Sequence, residues 1–303
     1  MKNLEIDFLG YKFKNPIIAA SGVFGYGEEY KAFYNIEDLG GISLKGLTLR
    51  PQEGNKGPRI AETASGLINS VGLQNPGVEV FKSKYNEELK KLNTIKIGNL
   101  AGHSFKEYVE IVKEMNDSAI DLIELNISCP NVSEGGMAFG VDPKNVYKIT
   151  SEVKKVAKKP VIIKLTPNVS KIQDNAKAAE DGGADSISLI NTIEAMAIDY
   201  KTRRPILYRG KGGLSGPCVK PIALRMVWDV YNTVKIPIIG MGGIESYTDV
   251  LEFMICGATL VQVGSANLYK PTASKDIICD LENYFLKNKE NIKDYIGSLK
   301  VWG

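Results

Sequence analysis

Eight short apolar runs alternate with amphipathic segments along this chain, and that alternation restricts its fold more than any other feature. The runs cover residues 17–20, 41–45, 95–99, 122–127, 161–165, 186–190, 238–240 and 260–263. Runs of this length suit buried strands, and the amphipathic segments between them suit crossover helices. Because a closed parallel barrel needs eight strands, we predict an α/β fold, a (β/α)8 TIM barrel.

Helix-start signals support the segments between the runs. Ser104 precedes Glu107 by three residues in a capping-box pattern, and Ser246 opens a second helix. Asp142 followed by Pro143 has the pattern of an N-cap before the first helical turn. These signals predict helices after the third, fourth and seventh runs.

The chain is predicted to form a single domain, residues 1–303, because no polar linker interrupts the alternation. Residues 4–14 alternate around Gly10 and predict a short N-terminal β-hairpin that caps one end of the fold. The main insertions in the βα loops are predicted at residues 46–92 and 191–220.

Composition excludes several classes of protein. The chain has 38 basic and 35 acidic residues, a balance that does not indicate nucleic-acid binding. Its four cysteines include no C-x-x-C pair for zinc or an iron–sulfur cluster and indicate a reducing compartment. Since the chain has no signal-peptide pattern and no run of about 18 apolar residues, we expect a cytoplasmic protein with no membrane or nucleic-acid partner.

The fourth run leads to a cysteine at a position suited to chemistry. Pro130 prevents the strand from continuing beyond Cys129, and residues 132–140 form a glycine-rich loop that we predict to act as a lid. Most free cysteines are small buried hydrophobes. At a strand end beside such a loop, Cys129 is instead a candidate nucleophile or base.

Every predicted strand ends in polar, reactive or glycine residues. Barrel enzymes assemble their active sites at these ends. In chain order the ends supply Ala20-Ser21-Gly22, Lys45-Gly46, Asn99, Asn126 with Cys129, Lys164, Asn191-Thr192, Gly242-Gly243 and Gly264-Ser265. Each has an ordinary structural explanation alone, but together they predict one site. Lys45 and Lys164 stand out because an ammonium that follows a buried run needs an anionic partner.

The glycine turns after strands 7 and 8 predict a phosphate site built from backbone N–H groups. No G-x-G-x-x-G pattern follows a first strand, so no Rossmann nicotinamide site is readable. A phosphate site, a nearby lysine and several amides suit flavin mononucleotide (FMN). His103 has no acidic or histidine partner at ligand spacing, and we assign no metal site.

Six stretches give the chain a resemblance along nearly its whole length to the catalytic subunits of class 1B dihydroorotate dehydrogenases. They are residues 15–22, 69–77, 124–131, 188–192, 212–217 and 240–244. This resemblance implies a barrel that binds FMN and oxidises dihydroorotate to orotate in pyrimidine (UMP) biosynthesis.

The resemblance also implies the residues of the site. Cys129 would be the base, where the membrane-associated class of the family uses serine. FMN would lie against Ser21, Lys45, Gly46, Asn99, Asn126, Lys164, Ile190, Gly216, Gly242, Gly243, Gly264 and Ser265. Substrate would contact Lys45, Asn69, Ser70, Val71, Gly72, Leu73, Asn126, Asn191 and Thr192.

A partner is implied as well. Class 1B catalytic subunits form a homodimer, and a separate subunit that carries FAD and a 2Fe-2S cluster completes a heterotetramer and passes electrons to NAD. Two segments depart from the family pattern: residues 208–211 are more basic than usual, and His103-Ser104 varies near Asn99.

Three alternatives remain open. The chain could be a class 1A-type dihydroorotate dehydrogenase that uses fumarate, although Gln74-Asn75-Pro76 favours class 1B. It could be a tRNA dihydrouridine synthase, but a net charge of +3 and the lack of an RNA-binding appendix argue against that. A barrel that only senses FMN or a metabolite would not need Cys129 or its lid.

Overall fold

A closed eight-stranded barrel forms the centre of the protein. The computed structural model describes residues 2–128 and 139–302. The barrel strands are β1 (Ile17–Ala19), β2 (Gly41–Ser43), β3 (Ile95–Leu100), β4 (Leu122–Asn126), β5 (Val161–Lys164), β6 (Ser186–Leu189), β7 (Ile238–Met241) and β8 (Leu260–Val263). Each strand pairs in parallel with the next in the chain, and β8 pairs with β1. All eight lie within or beside the predicted runs, which confirms the (β/α)8 prediction.

Helices surround the barrel. They are α1 (Gly77–Val80), α2 (Asn86–Lys90), α3 (Phe105–Met115), α4 (Pro143–Lys154), α5 (Ile172–Asp181), α6 (Lys220–Tyr231), α7 (Tyr247–Ile255), α8 (Ala266–Tyr269) and α9 (Ala273–Asn288). A π-helical turn, Phe81–Tyr85, joins α1 to α2. Two 3-10 turns, Glu29–Ala32 and Ile36–Asp38, connect β1 to β2 in place of a long helix. Among the described helices, none is long and apolar enough to cross a membrane.

The predicted helix starts are confirmed, with one difference in detail. Ser246 and Asp249 form a complete capping box at α7. The Ser104 side chain accepts the N–H of Glu107 at α3, but the Glu107 carboxylate accepts from the N–H of His103 rather than from that of Ser104. The helix start is therefore correct, while the reciprocal bond is shifted by one residue.

The N-terminal hairpin packs against the barrel where the strands begin. Its strands, Ile6–Phe8 and Tyr11–Phe13, pair antiparallel. The Phe13 ring is fully buried and lies against Gly41, the first residue of β2. The Tyr11 hydroxyl donates to the carbonyl of Asp121, just before β4. The hairpin therefore covers the amino end of the barrel, opposite the ends that carry the predicted site residues.

The two predicted insertions join in a single sheet. Its four antiparallel strands are, in spatial order, Ile193–Ala195, Gly212–Ser215, Gly66–Asn69 and Ile60–Thr63. Ala61, Ile68 and Leu207 form a small hydrophobic cluster with it. A two-stranded hairpin, Ile198–Asp199 with Arg204–Pro205, extends from the second insertion. The sheet brings residues from both insertions to the mouth of the barrel.

Candidate active site

A cavity of about 730 Å³ lies at the carboxyl ends of the barrel strands, and residues at or within two positions of the end of each of the eight strands line it. It brings together most of the residues that the sequence singled out. Of the predicted set, those lining it are Ser21, Lys45, Gly46, Asn69, Ser70, Val71, Gly72, Leu73, Asn99, Asn126, Lys164, Ile190, Asn191, Thr192, Gly242, Gly243, Gly264 and Ser265. Gly216 does not line it, although its neighbour Ser215 does. Cys129 and residues 132–138 of the predicted lid lie outside the described residues.

Lys45, which follows β2, brings a cationic side chain to this cavity. Within residues 2–128 and 139–302, its ammonium has no ion-pair or hydrogen-bond partner. Burial lowers the pKa of Lys45, and the charge of nearby Arg59 lowers it further. Because a partly buried ammonium without a counter-ion is unfavourable, an anionic ligand would be bound strongly at this position.

Lys164, at the end of β5, has a protein partner. Its Nζ lies 3.7 Å from Oε1 of Glu124, and the two side chains are 8% and 0% exposed. The anionic partner that a lysine in this position requires is therefore supplied by β4. Lys164 also lines the cavity, so its charge is available to a ligand.

The amides at the ends of β4 and β6 orient each other. Asn191 Nδ2 donates to Asn126 Oδ1 at 3.1 Å and to Ser128 Oγ at 2.9 Å. The Tyr108 hydroxyl donates to the carbonyl of Asn126 at 2.6 Å. This network fixes the direction of each amide before any ligand binds. Its last member, Ser128, immediately precedes Cys129 in the chain.

The far end of the predicted lid is anchored. Phe139 is fully buried and packs edge-on against the rings of Phe105 and Tyr108. The N–H of Gly140 donates to the carbonyl of Ile127 at 2.8 Å, and Asn175 Nδ2 donates to the Gly140 carbonyl. Residues 139 and 140, which we expected to belong to the lid, are therefore held against the barrel.

The sheet of the two insertions places Asn69 close to Thr192. Asn69 Nδ2 donates to the carbonyl of Gly213 at 3.3 Å. A Cβ atom on Gly213 would lie 2.0 Å from Thr192 Oγ1, so only glycine fits at position 213. The close strand pairing thus brings polar groups more than 100 residues apart in sequence to one wall of the cavity.

The glycine turns after β7 and β8 present free backbone donors. Gly242 and Gly243 have φ values of +132° and +75°, which other residues rarely adopt. Among the described residues, the N–H groups of Gly243 and Ser265 have no acceptor. A Cβ atom on Gly243 would lie 2.6 Å from the Gly216 carbonyl oxygen. The Gly216 carbonyl therefore packs directly against this turn.

Comparison with known proteins identifies the family. The dihydroorotate dehydrogenase family profile matches residues 3–285. The chain belongs to the dihydroorotate dehydrogenase family. It is 51% identical over 300 residues to the dihydroorotate dehydrogenase B (NAD(+)) catalytic subunit of Thermoanaerobacter pseudethanolicus, covering 99% of both chains. It is 52% identical over 300 residues to the protein of the same name from Caldicellulosiruptor bescii, covering 99% of this chain and 100% of that one.

A third relative of that name, from Geobacter metallireducens, is 49% identical over 301 residues and covers 99% of both chains. These matches confirm the resemblance that the six sequence stretches indicated. They also mean that the barrel, its insertions and its cavity are those of a dihydroorotate dehydrogenase family member over nearly the full chain.

Several cavity residues were not predicted from the sequence. They are Gln52, Asn55, His103, Arg209 and Gln262. Gln262 lies inside the buried strand β8, and Glu124 lies inside β4. A polar residue inside an apolar run is the signal that could have selected both; the criterion applied to Lys45 and Lys164, an ammonium that follows a buried run, did not cover them. Arg209 and His103 come from loops, for which the sequence offers no comparable signal.

One residue of the basic segment 208–211 lines the cavity. Arg209 lines the cavity, whereas the neighbouring Tyr208 is 60% exposed. The segment thus contributes one cation to the cavity and leaves its aromatic residue on the surface.

His103 also lies at the cavity, but the part of the chain that the structure describes contains no group of His, Cys, Asp and Glu able to hold a metal ion.

Proposed function

We propose that this protein oxidises dihydroorotate to orotate in pyrimidine biosynthesis in the cytoplasm, with FMN as hydride acceptor and Cys129 as base. The observation that carries the proposal is the convergence of Lys45, Lys164, the oriented amides and the free N–H groups of two glycine turns on one cavity. The names of its relatives, dihydroorotate dehydrogenase B (NAD(+)) catalytic subunits, support the same reaction.

The residues present fit FMN. The free N–H groups of Gly243 and Ser265 suit a phosphate, which backbone donors at such turns commonly bind. Lys164 offers a cation, and the buried Oε1 of Gln262 has no partner among the described residues. Bound FMN would supply an acceptor for the hydride that leaves C6 of dihydroorotate.

Substrate binding is assigned to residues of the same cavity. Lys45 would pair with the carboxylate of dihydroorotate, since its ammonium has no anionic partner within residues 2–128 and 139–302. Asn69, Asn126, Asn191 and Thr192 provide both donors and acceptors for the ring amides. The bonds of Asn191 to Asn126 and Ser128 would hold these groups in position, so binding requires little reorganisation.

Cys129 is proposed to accept the C5 proton. It directly follows Ser128, which lines the cavity. A thiolate is a competent base when nearby cations lower its pKa, and Lys45 and Lys164 both reach the same cavity.

The electrons are proposed to leave through a second protein. The names of the relatives describe them as catalytic subunits, which implies another subunit. We propose that this chain forms a homodimer and assembles with a subunit bearing FAD and a 2Fe-2S cluster, which passes electrons to NAD.

An anaerobic titration tests the reaction. We expect the purified chain to hold one FMN, and dihydroorotate to bleach its visible absorbance. The isolated chain should not reduce NAD at a useful rate, and adding the FAD and iron–sulfur subunit should confer that activity. A colourless protein that cannot be reconstituted with FMN would refute the proposal. FMN that dihydroorotate fails to bleach would indicate a sensor, and rapid reoxidation by fumarate would indicate class 1A.

Lys45→Met is expected to weaken orotate binding by about 10–100-fold, because a charge-assisted contact to the carboxylate is lost. The shift in flavin absorbance on adding orotate measures the dissociation constant. In the wild type, affinity should fall as pH rises towards the lowered pKa of Lys45, because the ammonium is the binding form.

Arg59→Met is the matched control for this prediction. It removes the second cause of the low Lys45 pKa, so the fall in affinity should move to higher pH. Orotate binding that is unchanged in Lys45→Met would show that Lys45 does not hold the carboxylate.

A further inference from the structure

A buried carboxylate lies behind the cavity wall. Glu124 of β4 has no exposed surface and does not itself line the cavity. Its Oε1 accepts from Asn99 Nδ2 at 2.6 Å and lies 3.7 Å from Lys164 Nζ, and its Oε2 accepts from Gln262 Nε2 at 2.6 Å. Ser43 Oγ completes the set at 3.4 Å from Oε1. Glu124 thus connects β2, β3, β5 and β8 through the interior of the barrel.

Glu124 determines which polar atoms its partners show to the cavity. A carboxylate only accepts hydrogen bonds, so Asn99 and Gln262 must both turn their NH₂ groups towards it. Their carbonyl oxygens then point elsewhere. Asn99 Oδ1 lies against Gly46, where a Cβ atom would be 3.1 Å away. Gln262 Oε1 is buried and accepts from no group among the described residues.

The unpartnered oxygen of Gln262 indicates a ligand. Buried acceptors almost always have a donor, and Gln262 lines the cavity. Together with Lys164 it offers a ligand one acceptor and one cationic donor from neighbouring positions around Glu124. The pyrimidine part of a flavin has complementary groups, because its ring oxygens accept hydrogen bonds and its N3–H donates one.

Charge gives Glu124 a second effect. A flavin gains negative charge on reduction, which the Lys164 ammonium favours and the Glu124 carboxylate opposes. Since both lie within a water-poor interior, neither charge is strongly screened. The carboxylate therefore offsets part of the attraction that Lys164 exerts on the reduced cofactor.

We propose that Glu124 is a positioning residue for the flavin: it anchors Lys164, fixes Gln262 with its oxygen free for the cofactor, and lowers the reduction potential of bound FMN. This inference rests on the proposed function, which supplies FMN. Glu124 acts through Lys164 and Gln262 and not by contact with substrate.

Glu124→Gln tests the proposal. The variant removes the negative charge, and its single amide oxygen cannot accept from both Asn99 and Gln262 in the wild-type way. We expect the midpoint potential of bound FMN to move to more positive values, and the dissociation constant of oxidised FMN to rise about tenfold through the disturbed amide orientation. Equilibrium reduction with a reference dye and fluorescence titration measure these two quantities without relying on turnover.

Asp185→Asn is a matched control. Asp185 also pairs with a lysine, Lys154, but it precedes β6 at the amino end of the barrel. The same loss of one carboxylate there should leave both the potential and the affinity for FMN unchanged. If the midpoint potential of bound FMN shifts positively by an equal amount in Asp185→Asn, the effect reflects the net charge of the protein and not the position of Glu124. That result would overturn the proposal.

Gln262→Leu tests the inference even if Glu124→Gln does not fold. It keeps the Glu124–Lys164 pair and removes the free oxygen, so the affinity for FMN should fall about tenfold. If Gln262→Leu binds FMN with wild-type affinity, or if folded Glu124→Gln has an unchanged midpoint potential, the inference is overturned but the proposed function is not. Wild-type protein that holds no FMN would refute the proposed function as well.

Discussion

Replacing Cys129 with serine is expected to slow the bleaching of bound flavin by dihydroorotate by about 10²–10⁴-fold, the usual effect of losing a positioned base. Serine keeps the size of the side chain, but its hydroxyl is a far weaker acid than a thiol. Orotate should bind nearly as it does to the wild type, because the proposed contacts of Lys45 and the amides remain. Stopped-flow measurement of the flavin absorbance gives the rate.

The pH dependence of the bleaching rate provides an independent test of Cys129. A reference thiol has a pKa of about 8.5, and only its deprotonated form can accept a proton. Bleaching by the wild type should therefore accelerate as pH rises through the pKa of Cys129 in the complex, and Cys129→Ser should lose this rise.

Cys218→Ser is the control for the Cys129 experiment, because Cys218 is an exposed cysteine outside the cavity. It should bleach at the wild-type rate. Wild-type rate and pH profile in Cys129→Ser would show that another group is the base, and Ser128 at the cavity would be the next candidate.

Lys164→Ala is expected to destabilise the apoprotein by about 3–5 kcal/mol, because it leaves the fully buried Glu124 without its cation. The same change should weaken FMN retention and slow its reduction by about 10²–10³-fold, since a cation near the reduced cofactor is lost. Urea unfolding of the apoprotein measures the first effect, and flavin titration and stopped flow measure the second.

Lys154→Ala is the comparison for this prediction. Its ion pair with Asp185 is partly exposed, with side chains 29% and 32% accessible, so its loss should cost less than about 1 kcal/mol. If Lys164→Ala unfolds like Lys154→Ala and keeps both flavin and rate, then Lys164 neither stabilises Glu124 nor holds the flavin.

Much of the barrel could be predicted because its signals are local. Apolar runs mark the strands, and Ser104, Asp142 and Ser246 mark helix starts through bonds to residues two or three positions away. The candidate site was predictable to the same extent. Once eight strands close into a barrel, their carboxyl ends must meet at one mouth, so the sequence alone predicts that Lys45 and Lys164 converge there.

The partners of these residues could not be predicted in the same way. Gln262 and Glu124 are 138 positions apart in sequence, and Asn69 and Gly213 are 144 apart. Which polar side chains of an apolar run face inwards, and which strand they meet, depends on register and on barrel closure. The pairing of the two insertions in one sheet likewise depends on where the barrel places them.

The sequence by itself therefore determined the strand and helix positions, the glycine turns and the family, because each depends on neighbouring residues or on recurrent motifs. Only the tertiary structure decided that Glu124 is the anion of Lys164, that the buried Gln262 oxygen has no donor among the described residues and that Arg209 lines the cavity. These features arise from contacts between distant segments, whose geometry is set by barrel closure and the packing of the insertions across its mouth.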